Sequence, residues 1–176
     1  REAVSAMSEQ PNSTKAGQDL ILALGDKDPM TRTLAVQGLG NMKYTAARPQ
    51  LEKVLATDTS AETREAAALS LRQLDDRKAV DALAKAISDP VFGVRVTALA
   101  GVGYYRDAKV RAQVEAACQD ANPAVRRTAV HVLGRLDDSK AIPVVQGLLK
   151  DQDSSVRAMA AQTLGELHAT EAKPQL

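Results

Sequence analysis

The chain has 176 residues, of which 26% are charged and 44% are hydrophobic, and its formal net charge is +1. Balanced charge calls for neither a nucleic-acid partner nor a membrane surface, and no apolar run approaches the ~20 residues that span a bilayer. A single cysteine, Cys118, excludes an internal disulfide, and the scarcity of aromatic residues argues against a thick β core. We expect a soluble helical protein without membrane insertion, with the cytoplasm as the favoured compartment.

Two kinds of helix alternate along the chain. The longer helices, called B, follow good N-cap residues in four of five cases, and Pro29 and Pro123 stand at first helical positions. In the fourth B helix Val125, Ala129 and Leu133 fall on one stripe at ~100° per residue. Shorter helices, called A, lie between them. In chain order the predicted ranges are 29–42 (B), 47–57 (A), 61–74 (B), 77–88 (A), 92–105 (B), 108–119 (A), 123–136 (B), 139–150 (A) and 154–167 (B).

The turn between a B helix and the next A helix is rich in aspartate. The phrase LDDRKAV at 74–80 returns as LDDSKAI at 136–142. Aspartates at these places can cap the A helix and complement its dipole. We therefore predict capping roles for both aspartates of each phrase, which are Asp75, Asp76, Asp137 and Asp138.

The helix pairs follow an internal repeat of about 31 residues. An arginine recurs at spacings of 32, 31, 31 and 31, with an aspartate six residues before it and an alanine three residues after it. One such pair could not bury its apolar faces alone, so the copies are predicted to stack. The aspartates are Asp26, Asp58, Asp89, Asp120 and Asp151, and the arginines are Arg32, Arg64, Arg95, Arg126 and Arg157.

A single repeat array is predicted over 1–176, with units starting near 26, 58, 89, 120 and 151 and partial units at 1–25 and 168–176. Arg1 lies 31 residues before Arg32, so the chain is expected to open inside a B helix. Arrays normally close with polar capping repeats, and none is evident. We interpret the chain as a segment of a longer protein with a weak tendency to associate end to end, through apolar surface at Leu20, Leu24, Leu164 and Leu167.

The phrase DANPAVRRTAVHVLG at 120–134 follows the pattern D-x-x-P-x-V-R-x-x-A-x-x-x-L-G. It resembles HEAT repeats, in particular the short variety first recognised in bilin lyase subunits, and the resemblance covers essentially the whole chain. Departures are Thr31 and Thr63 in place of valine and Arg72 in place of glycine. The resemblance implies an all-α fold, a right-handed α-α solenoid (armadillo-like superhelix) of about five to six stacked repeats. It also implies that the repeated aspartates and arginines form a structural ladder between neighbouring repeats.

Candidate chemistry is sparse. Cys118 aligns with core positions and is expected to be a buried structural cysteine. His131 is expected on the exposed face of a B helix, and His168 in a solvated turn. Two histidines without a companion ligand predict no metal site. The chain also lacks the His-Glu pairs of hypusine-forming HEAT hydroxylases, the tryptophan on which HEAT-like DNA glycosylases rely, and any nucleophile–base pair. We expect neither catalysis nor a cofactor.

Two functions remain open. The first is a scaffold or adaptor that binds another protein, and the second, implied by the resemblance, is a bilin lyase-like chromophore-handling subunit. In HEAT-like arrays the B helices line the concave surface, where aliphatic residues and a tyrosine lie here beside a cationic row. This composition suits an acidic, partly apolar protein segment, although an ordinary solvated face is the alternative. The predicted contact residues are Tyr104, Arg127, His131, Arg135, Val96, Gln73 and Gln162.

Overall fold

Residues 14–171 are described in this structure, which is a computed structural model, with side chains described up to residue 167. The described part of the chain is helical and contains no strand. Helix α1 covers residues 14–23. The helices that follow are α2 Pro29–Asn41, α3 Arg48–Thr57, α4 Ala61–Gln73, α5 Val80–Ala86, α6 Phe92–Tyr105, α7 Arg111–Ala117, α8 Pro123–Leu136, α9 Ile142–Gly147 and α10 Ser154–Glu171.

The even-numbered helices are the predicted B helices, and α3, α5, α7 and α9 are the predicted A helices. Each A helix is entered through a single 3₁₀ turn, and α9 is followed by another. The tighter 3₁₀ geometry is common at helix ends. The turns are Thr45–Ala47, Arg77–Ala79, Ala108–Val110, Ser139–Ala141 and Leu148–Lys150.

The chain divides into two compact units, unit 1 over residues 1–82 and unit 2 over 83–176. In unit 1, α2 and α3 both pack against α4. In unit 2, α6 and α7 pack against α8, and α10 packs against α8 and α9. Consecutive helix pairs therefore stack on each other within each unit. Arg1 and parts of both predicted partial units lie outside the described residues.

The core of every repeat is built on the same two positions of the B helix. The alanine three residues after the arginine is at most 2% exposed in all five repeats, and Leu39, Leu71, Val102 and Leu133, seven residues after it, are fully buried. Alanine keeps the helices close together, and the larger aliphatic side chain fills the space between them. The alanines are Ala35, Ala67, Ala98, Ala129 and Ala160.

Side-chain oxygens cap four of the five B helices. Asp28, Ser60 and Asn122 accept backbone N–H groups of α2, α4 and α8, and Asp153 accepts the N–H groups of Ser155 and Val156 in α10. Val91 takes the same place before α6 and makes no side-chain cap. These are the caps that the sequence predicted.

The aspartate turn differs from the prediction in one respect. A residue one or two positions after the B helix adopts the left-handed conformation, with φ between 49° and 55°, at Lys43, Asp75, Arg106 and Asp137. Only the following aspartate is a cap, because its side chain accepts the N–H two residues ahead, as Asp138 does from Lys140 at 3.0 Å. The first aspartate of each phrase therefore reverses the chain rather than capping the A helix.

Glycines mark the places where neighbouring B helices approach most closely. A Cβ on Gly40 would lie 2.6 Å from Ser70 Oγ, and one on Gly103 would lie 2.8 Å from a methyl of Val132. A Cβ on Gly134 would lie 3.0 Å from Thr163. The glycine eight residues after the ladder arginine thus makes room for the next repeat.

Two expectations about the last repeat are wrong. Leu164 and Leu167, predicted to expose apolar surface, are 9% and 2% exposed because α10 packs against α8 and α9. The turn predicted at His168 is also absent, since α10 continues to Glu171. Ala169 stands where Asp76, Asp107 and Asp138 cap the A helices of earlier repeats, so this cap is missing here. Near the other end Leu20 and Leu24 are half-buried, and Leu22 is 78% exposed.

Candidate functional site

Each repeated arginine donates a hydrogen bond to a backbone carbonyl of its own repeat. Nη1 of Arg32 donates to the carbonyl of Asp26 at 2.9 Å, and Nη1 of Arg126 donates to that of Asp120 at 2.8 Å. Arg64, Arg95 and Arg157 make the same bond to the aspartate six residues before them, at 2.8–2.9 Å. These bonds orient the guanidinium so that its Nε and Nη2 edge points away from its own repeat.

That edge meets a carboxylate of the next repeat in three places. Arg32 donates from Nε and Nη2 to Asp58 at 2.7 and 2.8 Å, and Arg126 does so to Asp151 at 2.8 and 2.7 Å. Arg95 Nη2 donates to Asp120 Oδ1 at 2.8 Å, while its Nε lies 2.7 Å from Oδ2 as an ion contact rather than a hydrogen bond. The remaining arginine and aspartate of the predicted ladder are divided between the two units, since Arg64 belongs to unit 1 and Asp89 to unit 2.

These three arginine–aspartate pairs, the rungs of the ladder, are largely shielded from solvent. The paired carboxylates are 6–14% exposed and the guanidinium side chains 13–16%. The side-chain hydrogen bonds from Arg32 and Arg126 lower the pKa of Asp58 and Asp151. At Asp120 burial acts in the opposite direction, and the bond from Arg95 nevertheless leaves the pKa lowered. All three carboxylates are therefore charged acceptors at neutral pH.

A second set of ion pairs joins the A helices and was not predicted from the sequence. Arg48 at the start of α3 pairs with Asp76 at 2.8 Å and with Glu52 at 2.6 Å. Arg111 at the start of α7 pairs with Asp138 at 3.1 Å and with Glu115 at 2.8 Å. Each aspartate thus caps one A helix and binds the arginine of the preceding one.

The signal for these pairs is a two-repeat period. RPQLE at 48–52 returns as RAQVE at 111–115, while Val80 and Ile142 take the arginine position in the intervening repeats. The LDD phrases alternate in step with them, at 74–76 and 136–138. The second aspartate of each LDD phrase is the one that binds the arginine one repeat earlier.

The exposed side of α6 carries an apolar ridge. Tyr104 is 46% exposed, Ala100 is exposed and Val96 is half-buried. Phe92 extends this ridge by one turn and is 51% exposed. It was overlooked in the sequence, although it stands four residues before Val96 and so shares its helix face.

A cationic ridge runs beside it on α8, which packs against α6. Arg127 and His131 are exposed, and neither α6 nor α8 contains an acidic residue. Arg135 is half-buried because its Nε donates to the carbonyl of Gly103 at 3.0 Å, which satisfies a carbonyl in the last turn of α6. Arg135 therefore has a structural contact as well as a place on this surface.

The two predicted glutamines bond to neighbouring side chains. Gln73 is in unit 1, where Nε2 donates to Asn41 Oδ1 at 3.4 Å. Gln162 is on α10 and donates to Glu166 Oε1 at 2.9 Å. Within unit 2 the structure brings Val96 and Tyr104 of α6 beside Arg127 and His131 of α8. Phe92, Val96, Tyr104, Arg127 and His131 together form the α6/α8 face.

In the described part of the chain, neither the cysteine nor any group of metal-ligating side chains forms a reactive site. Burial, with a smaller contribution from Glu115, raises the pKa of Cys118 to about 12, so the thiol stays protonated. Within residues 14–171 no group of three or more His, Cys, Asp or Glu side chains could hold a metal ion. No helix there has the length and apolar character needed to cross a membrane.

Two surface clefts of about 410 Å³ lie at equivalent places, one in each unit. The first opens beside Arg32 and Asp58 and the second beside Arg95 and Asp120. Each cleft therefore lies beside a rung of the ladder, and its place follows from the repeat geometry.

Comparison with known proteins agrees with this geometry. A family model described as HEAT repeats matches residues 1–72, 17–103 and 110–176. No curated protein matches the chain. Among solved structures, the chain is similar to the complex of CpcE and CpcF of phycocyanin lyase from Nostoc sp. PCC7120, with 24% identity and a TM-score of 0.74. The match covers 87% of this chain and 65% of that one.

Two artificial proteins are also similar. An engineered protein has 19% identity and a TM-score of 0.67, with 96% of this chain and 84% of that one covered. A designed armadillo repeat protein in complex with the peptide (KR)4 has 16% identity and a TM-score of 0.63, with 84% and 80% covered. At these identities the likeness concerns the fold, and it confirms the predicted all-helical solenoid class.

Proposed function

We propose that the chain, which belongs to the HEAT-repeat family, is a non-catalytic scaffold that binds another protein through the exposed side of its B helices. The observation that carries the proposal is the α6/α8 face. It combines an exposed aromatic and aliphatic ridge with the exposed side chains of Arg127 and His131, and its two helices carry no acidic residue.

The composition of this face suits an acidic, partly apolar segment of a partner protein. Phe92 and Tyr104 leave about half of their surface in water, which is unfavourable for the free protein and favours association. Tyrosine beside arginine is the composition enriched at binding hot spots. Arg127 would select acidic over basic partners by electrostatic complementarity.

Affinity capture with matched variants tests the proposal. We expect the double variant Phe92→Ser and Arg127→Glu to lose partners that the wild type retains from a lysate of the source cells, at an unchanged melting temperature. Lys85→Glu, which alters an exposed cation on α5, is the control and should retain them. Arg135 is avoided because it also holds the Gly103 carbonyl. Partners retained by the double variant would contradict the proposal.

A bilin-handling role is the second candidate, and the fold likeness to the phycocyanin lyase complex is the observation that favours it. An isolated bilin titrated into the protein distinguishes the two roles. A saturable shift in the bilin absorbance would support chromophore handling, and an unchanged spectrum would leave the protein scaffold as the function.

A further inference from the structure

We propose that the surface cleft of unit 1 binds a small aliphatic carboxylate, with the hydrocarbon chain in the inner part of the cleft and the carboxylate on Lys53. This inference goes beyond the proposed function and is independent of the α6/α8 face. It rests on the residues that line the cleft and on their difference from the equivalent cleft of unit 2.

Two A helices supply the walls of the unit 1 cleft. One wall is a single face of α3, because its lining residues recur at the three- and four-residue spacing that places side chains on one side of a helix. The opposite wall is the last turn of α1 and the residue after it. On α3 the lining residues are Gln50, Lys53, Val54 and Thr57, and on the α1 side they include Ile21 and Leu24.

The inner part of the cleft is aliphatic. Val54 is 9% exposed, and Ile21 and Leu24 are half-buried and contribute to the lining. A hydrocarbon chain that covers these side chains is removed from water, which favours binding. None of the described residues that line the cleft is aromatic, so an alkyl chain fits this wall better than a flat ring, which would find no stacking partner.

Lys53 gives the cleft its net charge. The other cation of the lining, Arg32, donates from Nε and Nη2 to Asp58, and this pair brings no net charge to a ligand. Lys53 is exposed and makes no ion pair with the residues that the structure describes. A carboxylate is the monoanion that balances this single charge, and the exposed side chains of Gln50 and Thr59 carry donors for its second oxygen.

The equivalent cleft of unit 2 has the same volume without the cation. It also measures about 410 Å³, and Gln113 stands where unit 1 has Gln50. Ala116, however, takes the place of Lys53, and Ala117 that of the larger Val54. The opening is therefore a property of the repeat, and its volume lies within the roughly 300–1,000 Å³ of small-molecule sites. The cation and the larger aliphatic wall are particular to unit 1.

Titration of octanoate into ¹⁵N-labelled protein, followed by heteronuclear NMR, tests the proposal. We expect saturable shifts of the backbone amide signals of Gly25, Thr57 and Thr59, which line the unit 1 cleft. The amide signals of Ser88 and Asp120, which line the unit 2 cleft, should change little and serve as an internal control. N-acetyl-leucine presents its carboxylate as the last residue of a peptide does, so the tighter of the two ligands identifies a free acid or a peptide end as the source.

Substitution of Lys53 separates the charge from the hydrocarbon. Lys53→Ala should weaken octanoate binding about fivefold, the upper end of the range for an exposed ion pair, and Lys53→Glu should abolish it. Octan-1-ol has the same chain without the charge and should bind the wild type and Lys53→Ala equally. Lys78→Ala removes an exposed lysine outside the cleft and is the matched control, with octanoate affinity unchanged.

Three results would overturn the proposal. The first is the absence of a saturable shift in the unit 1 cleft with either carboxylate, and the second is equal octanoate affinity of the wild type and Lys53→Ala in spectra that show both to be folded. The third is an equal response of the two clefts, since Lys53 would then not determine binding. Because Lys53 lies outside the α6/α8 face, each of these results leaves partner capture by that face, and with it the proposed function, unaffected.

Discussion

At the residue scale, stacking of the repeats depends on a guanidinium that is oriented before it binds. Arg126 is fixed by carbonyls of its own repeat and then makes two bonds to Asp151 of the next. Its neighbour Arg127 has the same charge but faces solvent. Two adjacent arginines of one helix therefore have different physical roles.

This contrast gives a stability prediction. Arg126→Ala should lower the free energy of unfolding by about 1.5–3 kcal/mol, the range for hydrogen bonds to charged groups. Arg127→Ala should lower it by less than about 0.5 kcal/mol, as is usual for exposed positions. Urea denaturation of both variants measures the difference, and equal losses would show that the ladder adds nothing beyond surface charge.

The rungs also predict how stability depends on pH. The side-chain hydrogen bond from Arg126 lowers the pKa of Asp151 below its ordinary value of 3.8. A carboxyl with a lowered folded pKa stabilises the protein above its unfolded pKa, and this contribution is lost as the pH falls through the folded pKa. The stability difference between wild type and Arg126→Ala should therefore hold from pH 7 to about pH 5 and shrink below about pH 4. A difference that grows in acid would mean that Asp151 is not the acceptor.

Cys118 gives a test of core burial. Burial and the nearby charge of Glu115 raise the pKa of its thiol to about 12, so the reactive thiolate is scarce at pH 8. We expect no reaction with a thiol reagent such as DTNB in the native protein and full reaction in guanidinium chloride. Rapid labelling of the native protein would show that α7 opens readily.

At the element scale, the turns between B and A helices carry residues in an unfavourable conformation. Lys43, Asp75, Arg106 and Asp137 all have positive φ, and none of them is glycine. Sequence reasoning placed these turns correctly but assigned capping to both aspartates of the phrase. The left-handed residue could not be recognised, because its identity varies among Lys, Asp and Arg and only the backbone geometry is shared.

A substitution at one of these turns should stabilise the protein. Arg106 has φ 49° and ψ 43°. Arg106→Gly should raise the free energy of unfolding by about 0.5–1 kcal/mol, because the left-handed region costs an L residue roughly 1–2 kcal/mol and the freer unfolded chain offsets part of the gain. Lys109→Gly, in the adjoining 3₁₀ turn, is the control and should be destabilising. Loss of stability in both variants would show that Arg106 makes a contact worth more than its strain.

At the scale of the whole molecule, the fold class followed from the sequence because the repeat supplies five examples of each position. The caps, the alanine core and the alternation of long and short helices are all set by local chemistry that recurs. The Arg48 and Arg111 pairs were overlooked because they recur only in every second repeat. The length of α10 could not be predicted from the spacing of the other repeats, and the burial of Leu164 and Leu167 depends on the packing of α10 against α8 and α9 of the preceding repeat.

The candidate face was only partly predictable. Helical periodicity placed Tyr104, Arg127 and His131 on exposed positions, since buried and exposed side chains recur with the helical period along each B helix. The exposed positions were counted forward from the repeated arginine of each B helix. Phe92, the first residue of α6, precedes that arginine and was therefore not included. The contact between Arg135 and the Gly103 carbonyl joins two helices, and no single-helix pattern reveals it.

Site-specific photo-crosslinking tests the central claim, that the α6/α8 face binds a protein, most directly. A benzophenone amino acid would replace Phe92 in one protein and Gln113, exposed on α7, in another. After irradiation in a lysate of the source cells, we predict that position 92 captures a defined protein, that Arg127→Glu abolishes this capture, and that position 113 captures none. Capture of a protein from position 113, with none from position 92, would contradict the claim.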